Sequence, residues 1–364
     1  MTILIFFIIL FALVLVHEFG HFIVAKKNGI RVDEFGFGFP PRLFSFKKGE
    51  TTYSINALPF GGFVKIFGES PQEGDSVSPD ASRSLVAKPK IIQASVLLAG
   101  IFFNLLLAWV LLSGAFVSGL PVASESKYFE NAIGKNLVVL SILKNSPAES
   151  SGFLSGDKII SISDNKETLT MSSIESFQNF ISLHPNQEIT LSVNRGGELK
   201  DIKVAPRENL VGERAGIGVS IDFVGLAKLP IHKATVAGFV GMWDGFIGTV
   251  KAIAGLIFDS FRLKADLSNI AGPVGLVHMV GDAYKFGFSY LLFFTAMISI
   301  SLAVINLVPF PALDGGRVLF LIIEKIKGSP IKPKIANMVN AIGFLLLIIL
   351  MLVVTYNDVF AQAL

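Results

Sequence analysis

Four stretches of this chain are apolar almost without interruption: Met1 to Val16, Ile91 to Gly119, Gly287 to Val308 and Met338 to Tyr356. A helix needs about 20 apolar residues to cross the hydrocarbon core of a bilayer, so these runs predict four spanning helices. The rhythm changes between them. "RLFSFKKGETTYSIN" holds two alternating runs about Lys48-Gly49, which predicts a β-hairpin, and "GGFVKI" offers a further strand. From 120 to 228, "NLVVLSIL", "DKIISISD", "EITLSVNR" and "LKDIKVAPR" predict short strands, and "SSIESFQNFISL" predicts an amphipathic helix opening on Ser172 or Ser173. This is a soluble α+β domain inserted between spans.

The stretch Ile231 to Leu263 is apolar but broken by charge before any run reaches the length of a span. At 100° per residue, Lys233, Asp244, Lys251, Asp259 and Arg262 fall within a sector of about 80°. One narrow charged face predicts a helix lying in the membrane interface.

The expected order is a first span at 1–26, a membrane-associated β-rich segment at 27–90, a second span at 91–119 and the α+β domain at 120–228. An interfacial helix and linker follow at 229–284, then a third span at 285–311, a helix and loop at 312–336, a fourth span at 337–358 and a tail at 359–364. Basic residues cluster after the first span (Lys26, Lys27, Arg31) and before the last (Lys325, Lys327, Lys332, Lys334). The positive-inside rule puts both clusters in the cytosol and the α+β domain outside. The first run has no basic residues ahead of it, which predicts a retained span rather than a cleaved leader.

Composition agrees: 52% of residues are hydrophobic and the mean hydropathy is +0.63, values of an integral membrane protein whose partner is lipid. Without cysteine there is no disulfide and no thiolate metal ligand. A net charge of +3, with no zinc-finger pattern and basic residues gathered only at span ends, gives no sign of nucleic-acid binding.

The first span ends in "HEFGH". His17 and His21, four apart, project from one helix face; two neutral imidazoles suit Zn²⁺, and Glu18 between them suits a general base. Headgroup contacts or chance are the bland explanations, but each charge inside a span costs roughly 2.5–3.5 kcal/mol. A catalytic zinc site needs a third protein ligand. His184, His232 and His278 fall on the wrong side of the predicted topology. In "INLVPFPALDGGR", Pro309 and Pro311 stop the third span and Gly315-Gly316 free the backbone after Asp314. A carboxylate beside irregular backbone at membrane depth needs protein or water around it. As a helix N-cap, Asp314 would explain itself but not the Pro-x-Pro break. His17 and Asp314 can share an ion only if their span ends face one side, as four spans provide and five would not.

"HEFGH", "AGIFFN", "NLVPFPALDGG" and the inserted domain together resemble the site-2 protease family of intramembrane metalloproteases, closest to its bacterial regulator-of-sigma-E type. The resemblance implies one Zn²⁺ per chain held by His17, His21 and Asp314, with Glu18 as catalytic base. It implies a bacterial cytoplasmic-membrane protein cutting the transmembrane helices of single-span proteins, such as anti-sigma factors or signal-peptide remnants. Asn306, Pro309 and Pro311 become candidate substrate contacts. Gly100 and Asn104 either line the site too or, at the glycine, serve close helix packing. "NSPAESSGFLSGDKIISI" makes the inserted domain resemble a PDZ domain; the enterobacterial form has two in tandem, and 120–228 has room for one. The β-hairpin offers an edge that would hold a substrate extended, against the plainer expectation of an ordinary sheet. The competing function is a non-proteolytic zinc-binding scaffold whose PDZ-like domain binds partners; a transporter ranks third. Nine residues separate Lys26 from His17, roughly 13 Å of helix, so the site would lie below the cytosolic surface yet within reach of water.

Overall fold

The computed structural model describes residues 1–69, 80–164, 167–170, 173–211, 214–262 and 272–363. Two expectations, the opening of a helix at Ser172 and the last residue of Ile231 to Leu263, lie outside these. The chain forms two compact units. One comprises Met1–Ser113, Thr235–Gly281 and Leu292–Leu364; the other comprises Gly114–Ala234 and Asp282–Leu291.

In chain order the elements are α1 (Thr2–Lys27), β1 (Val32–Lys48), β2 (Thr51–Ile66), α2 (Lys90–Ser118), β3 (Leu120–Ala123), β4 (Ile133–Ile142), α3 (Pro147–Ser150), β5 (Lys158–Ser163), β6 (Thr168–Thr170), α4 (Ile174–Leu183), β7 (Ile189–Arg195), β8 (Glu198–Val204), β9 (Arg207–Val211), β10 (Arg214–Gly216), β11 (Val219–Ala227), α5 (Ile231–Phe261), α6 (Pro273–Lys285), α7 (Phe288–Leu307), α8 (Asp314–Lys327) and α9 (Pro333–Ala363). Five of these helices, α1, α2, α5, α7 and α9, are long and apolar enough to cross a membrane. With the β-sheets, they make this a membrane protein carrying a β domain. The sequence pattern counted four such helices. The fifth, α5, is one continuous 31-residue helix. Charges confined to one sector leave the backbone hydrogen bonds of the helix intact, so they interrupt the apolar run without interrupting the helix.

In the larger unit, α2, α5 and α7 pack through Ala108, Leu112, Met242, Ala296, Ile300 and Val304, all buried. The small residues let the axes approach, as helix packing in lipid requires. The end of α1 is fixed to β1, β2 and α2 by Ala25, Ile30, Val32, Val64, Ile66 and Val96. Beside this cluster, ion pairs run Lys26–Glu50–Arg83–Asp80–Arg31–Asp33. Hydrogen bonds from Lys26 and Arg83 hold the Glu50 carboxyl below its ordinary range. The hairpin turn is thereby tied to the end of α1. "GGFVKI" is the last part of β2 rather than a separate strand. Glu34 to Phe37 of β1 have partners on both flanks, Thr52 to Ile55 on one and Gly62 to Lys65 on the other.

In the smaller unit the strands run β3-β11-β4-β5-β7-β8, with β6 on β5. Leu137, Val139, Ile159, Ile162, Leu191 and Val193 face a core closed by Phe177, Phe180 and Ile181 of α4. The alternation of Leu137 with Val139 and of Leu191 with Val193 is the period of a half-buried sheet, and a register shift between Ile159 and Ser161 brings Ile159 and Ile162, three apart, to the same face. Ser173 caps α4 by accepting from the Ser176 amide. Asp157, almost fully buried, takes two charge-assisted hydrogen bonds from Arg195, both 2.7 Å. The sequence pattern missed β3, β6, β9, β10 and β11. The first four of these are only three to five residues long, too short for a period to register. In "VSIDFVGLA" of β11 a glycine and an aspartate interrupt the apolar signal.

Candidate metal centre and active site

Helix periodicity turns His17 and His21 of α1 the same way, toward one row of α2: Val96, Gly100 and Asn104. The His21 Nδ1 lies 2.8 Å from the Val96 carbonyl oxygen, and the His17 Nδ1 lies 3.1 Å from the Asn104 side-chain amide. The two Nε2 atoms lie between these contacts, beside Gly100, where a Cβ would be 2.5 Å from that of His21 and 2.8 Å from that of His17. They meet the Asp314 carboxylate at the start of α8. The separations are 3.1 Å from His17 Nε2 to Asp314 Oδ2, 3.3 Å from His21 Nε2 to the same oxygen, and 3.2 Å between the two Nε2 atoms.

The loop from α7 to α8 aims that carboxylate. Ala312 adopts the left-handed conformation, φ 74°, between Pro311 and Asp314, a strained state of the kind that clusters at functional sites. Behind Asp314 the chain doubles back so tightly that a Cβ on Gly315 would lie 2.3 Å from the Leu307 carbonyl oxygen, and one on Gly316 2.1 Å from that of Phe310. Only glycine fits either position. Leu313, not Asp314, is the N-cap of α8, and it makes no side-chain cap bond. Asp314 therefore does not serve as the cap that the sequence left open.

The three donor atoms make a nearly equilateral triangle. Zinc bonded at about 2.0–2.1 Å to tetrahedral ligands sets those ligands roughly 3.3 Å apart, so the donors fit one face of a zinc tetrahedron. Their chemistry, two imidazoles and a carboxylate, fits as well. Among the described residues this is the one group of three or more His, Asp or Glu side chains so gathered.

The triangle faces a cavity of roughly 470 Å³ lined by His17, Glu18, His21, Gly62, Val64 and Asn306, among others. Glycine at 62 brings β2 close to α1: a Cβ there would lie 3.1 Å from Val14 Cγ1 and 3.3 Å from Glu18 Cγ. The final stretch of β2 therefore runs along the cavity wall. Asn306 is on that wall and donates its side-chain amide to the Leu302 carbonyl, one turn back. Four other expected contacts are placed elsewhere. Asn104 lies behind the His17 ring and Gly100 beside the two Nε2 atoms, both off the cavity wall, because the α2 row bearing them packs on α1. Pro309 is exposed and Pro311 packs against Gly343 of α9; they bend the chain and do not line the cavity. Two charged wall residues escaped the sequence reading, Arg317 and Glu69, which form an ion pair with each other. Arg317 was legible in principle, three residues beyond Asp314 and so on its face of α8. Glu69 was not, since it arrives by the path of β2.

The model described as Peptidase family M50 matches residues 5–350. The chain belongs to peptidase family M50. A Clostridium perfringens relative is 37% identical over 348 residues, 96% of this chain and 95% of the relative. The zinc metalloprotease RasP of Oceanobacillus iheyensis is 30% identical over 436 aligned positions, 99% of each chain. That of Geobacillus kaustophilus is 30% identical over 421, covering 97% of this chain and 96% of the relative. This M50 protein is thus a zinc metalloprotease of the intramembrane site-2 type, a multi-pass membrane protein acting on membrane-embedded substrates.

Proposed function

We propose that His17, His21 and Asp314 hold a single zinc ion and that Glu18 is the general base for peptide-bond hydrolysis. The observation that carries this is the donor triangle of 3.1–3.3 Å edges opening on a cavity that Glu18 also lines. Bound zinc acidifies water and polarises a carbonyl. Glu18 accepts the proton on its carboxylate and passes it to the leaving amine. A helical substrate hides its carbonyls in its own hydrogen bonds and must be unwound locally first. The last stretch of β2, Gly62 to Ile66, beside Glu18, is suited to hold the opened segment as an added strand, with Asn306 opposite. A non-proteolytic scaffold with structural zinc has no use for a carboxylate at this place.

Four spans, α1, α2, α7 and α9, account for the site. With α5 in the interface, the ends of α1 and α7 face one side, and His17 and Asp314 meet there. A crossing α5 would separate them. The basic clusters make that side cytosolic, in the cytoplasmic membrane of a bacterium. A cysteine scan on this cysteine-free chain tests the arrangement. Positions 230 and 264, on either side of α5, are expected to label from the same, outer side; labelling from opposite sides would reject both the interfacial helix and the shared topology.

The smaller unit we read as a single PDZ-like domain outside the membrane. A groove of roughly 190 Å³ between α4 and β11, lined by Phe177, Ile181, Arg214 and Ile221 among others, is suited to an extended peptide. The domain would admit single-span proteins whose outer part is already trimmed, such as anti-sigma factors or signal-peptide remnants. Deleting 120–228 is expected to leave cleavage of a short-ectodomain substrate within about threefold and to relax exclusion of long ones. If the deleted form binds zinc yet cuts neither, the domain belongs to the catalytic machinery instead.

A further inference from the structure

His21 and His17 are held from behind in different ways. His21 Nδ1 faces a main-chain carbonyl oxygen, that of Val96, which can only accept. His21 must therefore carry its proton on Nδ1, leaving the Nε2 lone pair for the donor triangle. His17 Nδ1 faces a side-chain amide, that of Asn104, at 3.1 Å. Asn104 is fully buried, and its other amide atom, drawn as Oδ1, has no hydrogen-bond partner. With the amide NH₂ toward His17, Nδ1 would have to be the bare nitrogen and the proton would sit on Nε2, inside the triangle. Turning the amide by 180° exchanges oxygen and nitrogen without moving the side chain. Oδ1 then accepts from Nδ1–H, and both histidines present the same tautomer.

We infer that Asn104 is a positioning residue for the metal centre: through its Oδ1 it fixes the His17 tautomer and ring, so that Nε2 faces the ion. This rests on the reading of His17 as a zinc ligand through Nε2. Asn104 does not touch substrate. It sits on the Val96–Gly100–Asn104 row, where successive members are four residues apart, so one face of α2 carries both orienting oxygens with the glycine between them leaving room for the rings. The main chain of Asn104 is itself tied down, its carbonyl accepting from Ser299 Oγ of α7 at 2.8 Å. The buried amide is thus connected to α1 and α7 at once, and the cost of leaving one of its atoms unpaired is retained for the sake of the other.

The test is the zinc dissociation constant of the full-length protein, measured by competition with a chromophoric chelator. Asn104→Asp keeps an acceptor whichever way it turns, and is expected to hold zinc within about threefold of the parent or more tightly. Asn104→Leu keeps the shape without the acceptor, and is expected to weaken binding about 10- to 100-fold, the usual range for such partners. A Leu variant that binds like the parent, or an Asp variant as weak as the Leu, overturns the inference. Should the Leu variant not fold, nitrogen-15 histidine spectra of the zinc-loaded parent decide: a proton on His17 Nδ1 is expected, and zinc on Nδ1 overturns. The His17→Ala, His21→Ala double variant separates the two ideas. Zinc retained there sinks the ligand reading itself; zinc lost there but unchanged in Asn104→Leu sinks only the role of Asn104.

Discussion

Changing Glu18 to Gln will stop hydrolysis and leave the zinc in place. Glu18 is one residue from His17 in the helix, yet it contributes no atom to the donor triangle, and it lines the cavity that the triangle faces. Gln has the same shape and the same oxygen acceptor but cannot take up a proton. Removing a general base costs about 10²- to 10⁴-fold, so turnover of a single-span substrate should fall by that much while bound metal stays near one per chain. His17→Ala, His21→Ala is expected to behave differently, because it removes two of the three donors proposed for zinc: metal and activity should be lost together. Metal analysis and a gel-based cleavage assay on the same preparations distinguish the two. A Glu18→Gln form that turns over at a tenth of the parent rate or better removes Glu18 from the mechanism. Stoichiometric zinc in the double variant places the site elsewhere.

Gly100→Ala is expected to do nearly as much from outside the ligand set. A Cβ at this position would lie 2.5 Å from His21 Nε2, 2.6 Å from His17 Cε1 and 2.8 Å from His17 Nε2. No carbon sits that close to such atoms without something moving. The rings cannot yield freely, because their other nitrogens are held at Val96 and Asn104. Nor is α2 free to withdraw from α1, since its far side packs on α7, where Ser299 Oγ donates to the Asn104 carbonyl at 2.8 Å. The added methyl therefore displaces the donor atoms. Displacement of about 1 Å commonly costs 10²-fold in rate, and the expected result is a loss of that order in activity with weakened zinc binding. Helix content should be unchanged, because alanine is the better helix former. Parent-like zinc affinity in Gly100→Ala would show that the imidazoles are not where the structure puts them. The glycine thus makes room for the imidazoles of His17 and His21, a sharper purpose than the close helix packing the sequence also allowed.

Some of this protein was fixed by its sequence alone. Long apolar runs specify helices in lipid because every backbone polar group there must be satisfied within the segment, so α1, α2, α7 and α9 were legible to within a few residues at most of their ends. The pair His17 and His21, with Glu18 between them, was legible because the geometry of a helix relates residues four apart without help from the rest of the chain. Asp314 was legible for a local reason too, a carboxylate set in a Pro-x-Pro and Gly-Gly break. What the tertiary structure alone decided concerns residues far apart in sequence. It joined Asp314 to His17 across 297 positions, turned the Val96–Gly100–Asn104 row of α2 toward the imidazoles, and carried the end of β2 with Glu69 to the cavity wall. Periodicity reports which face of an element is apolar, but not which neighbour that face meets; that depends on packing between elements, which no local pattern encodes.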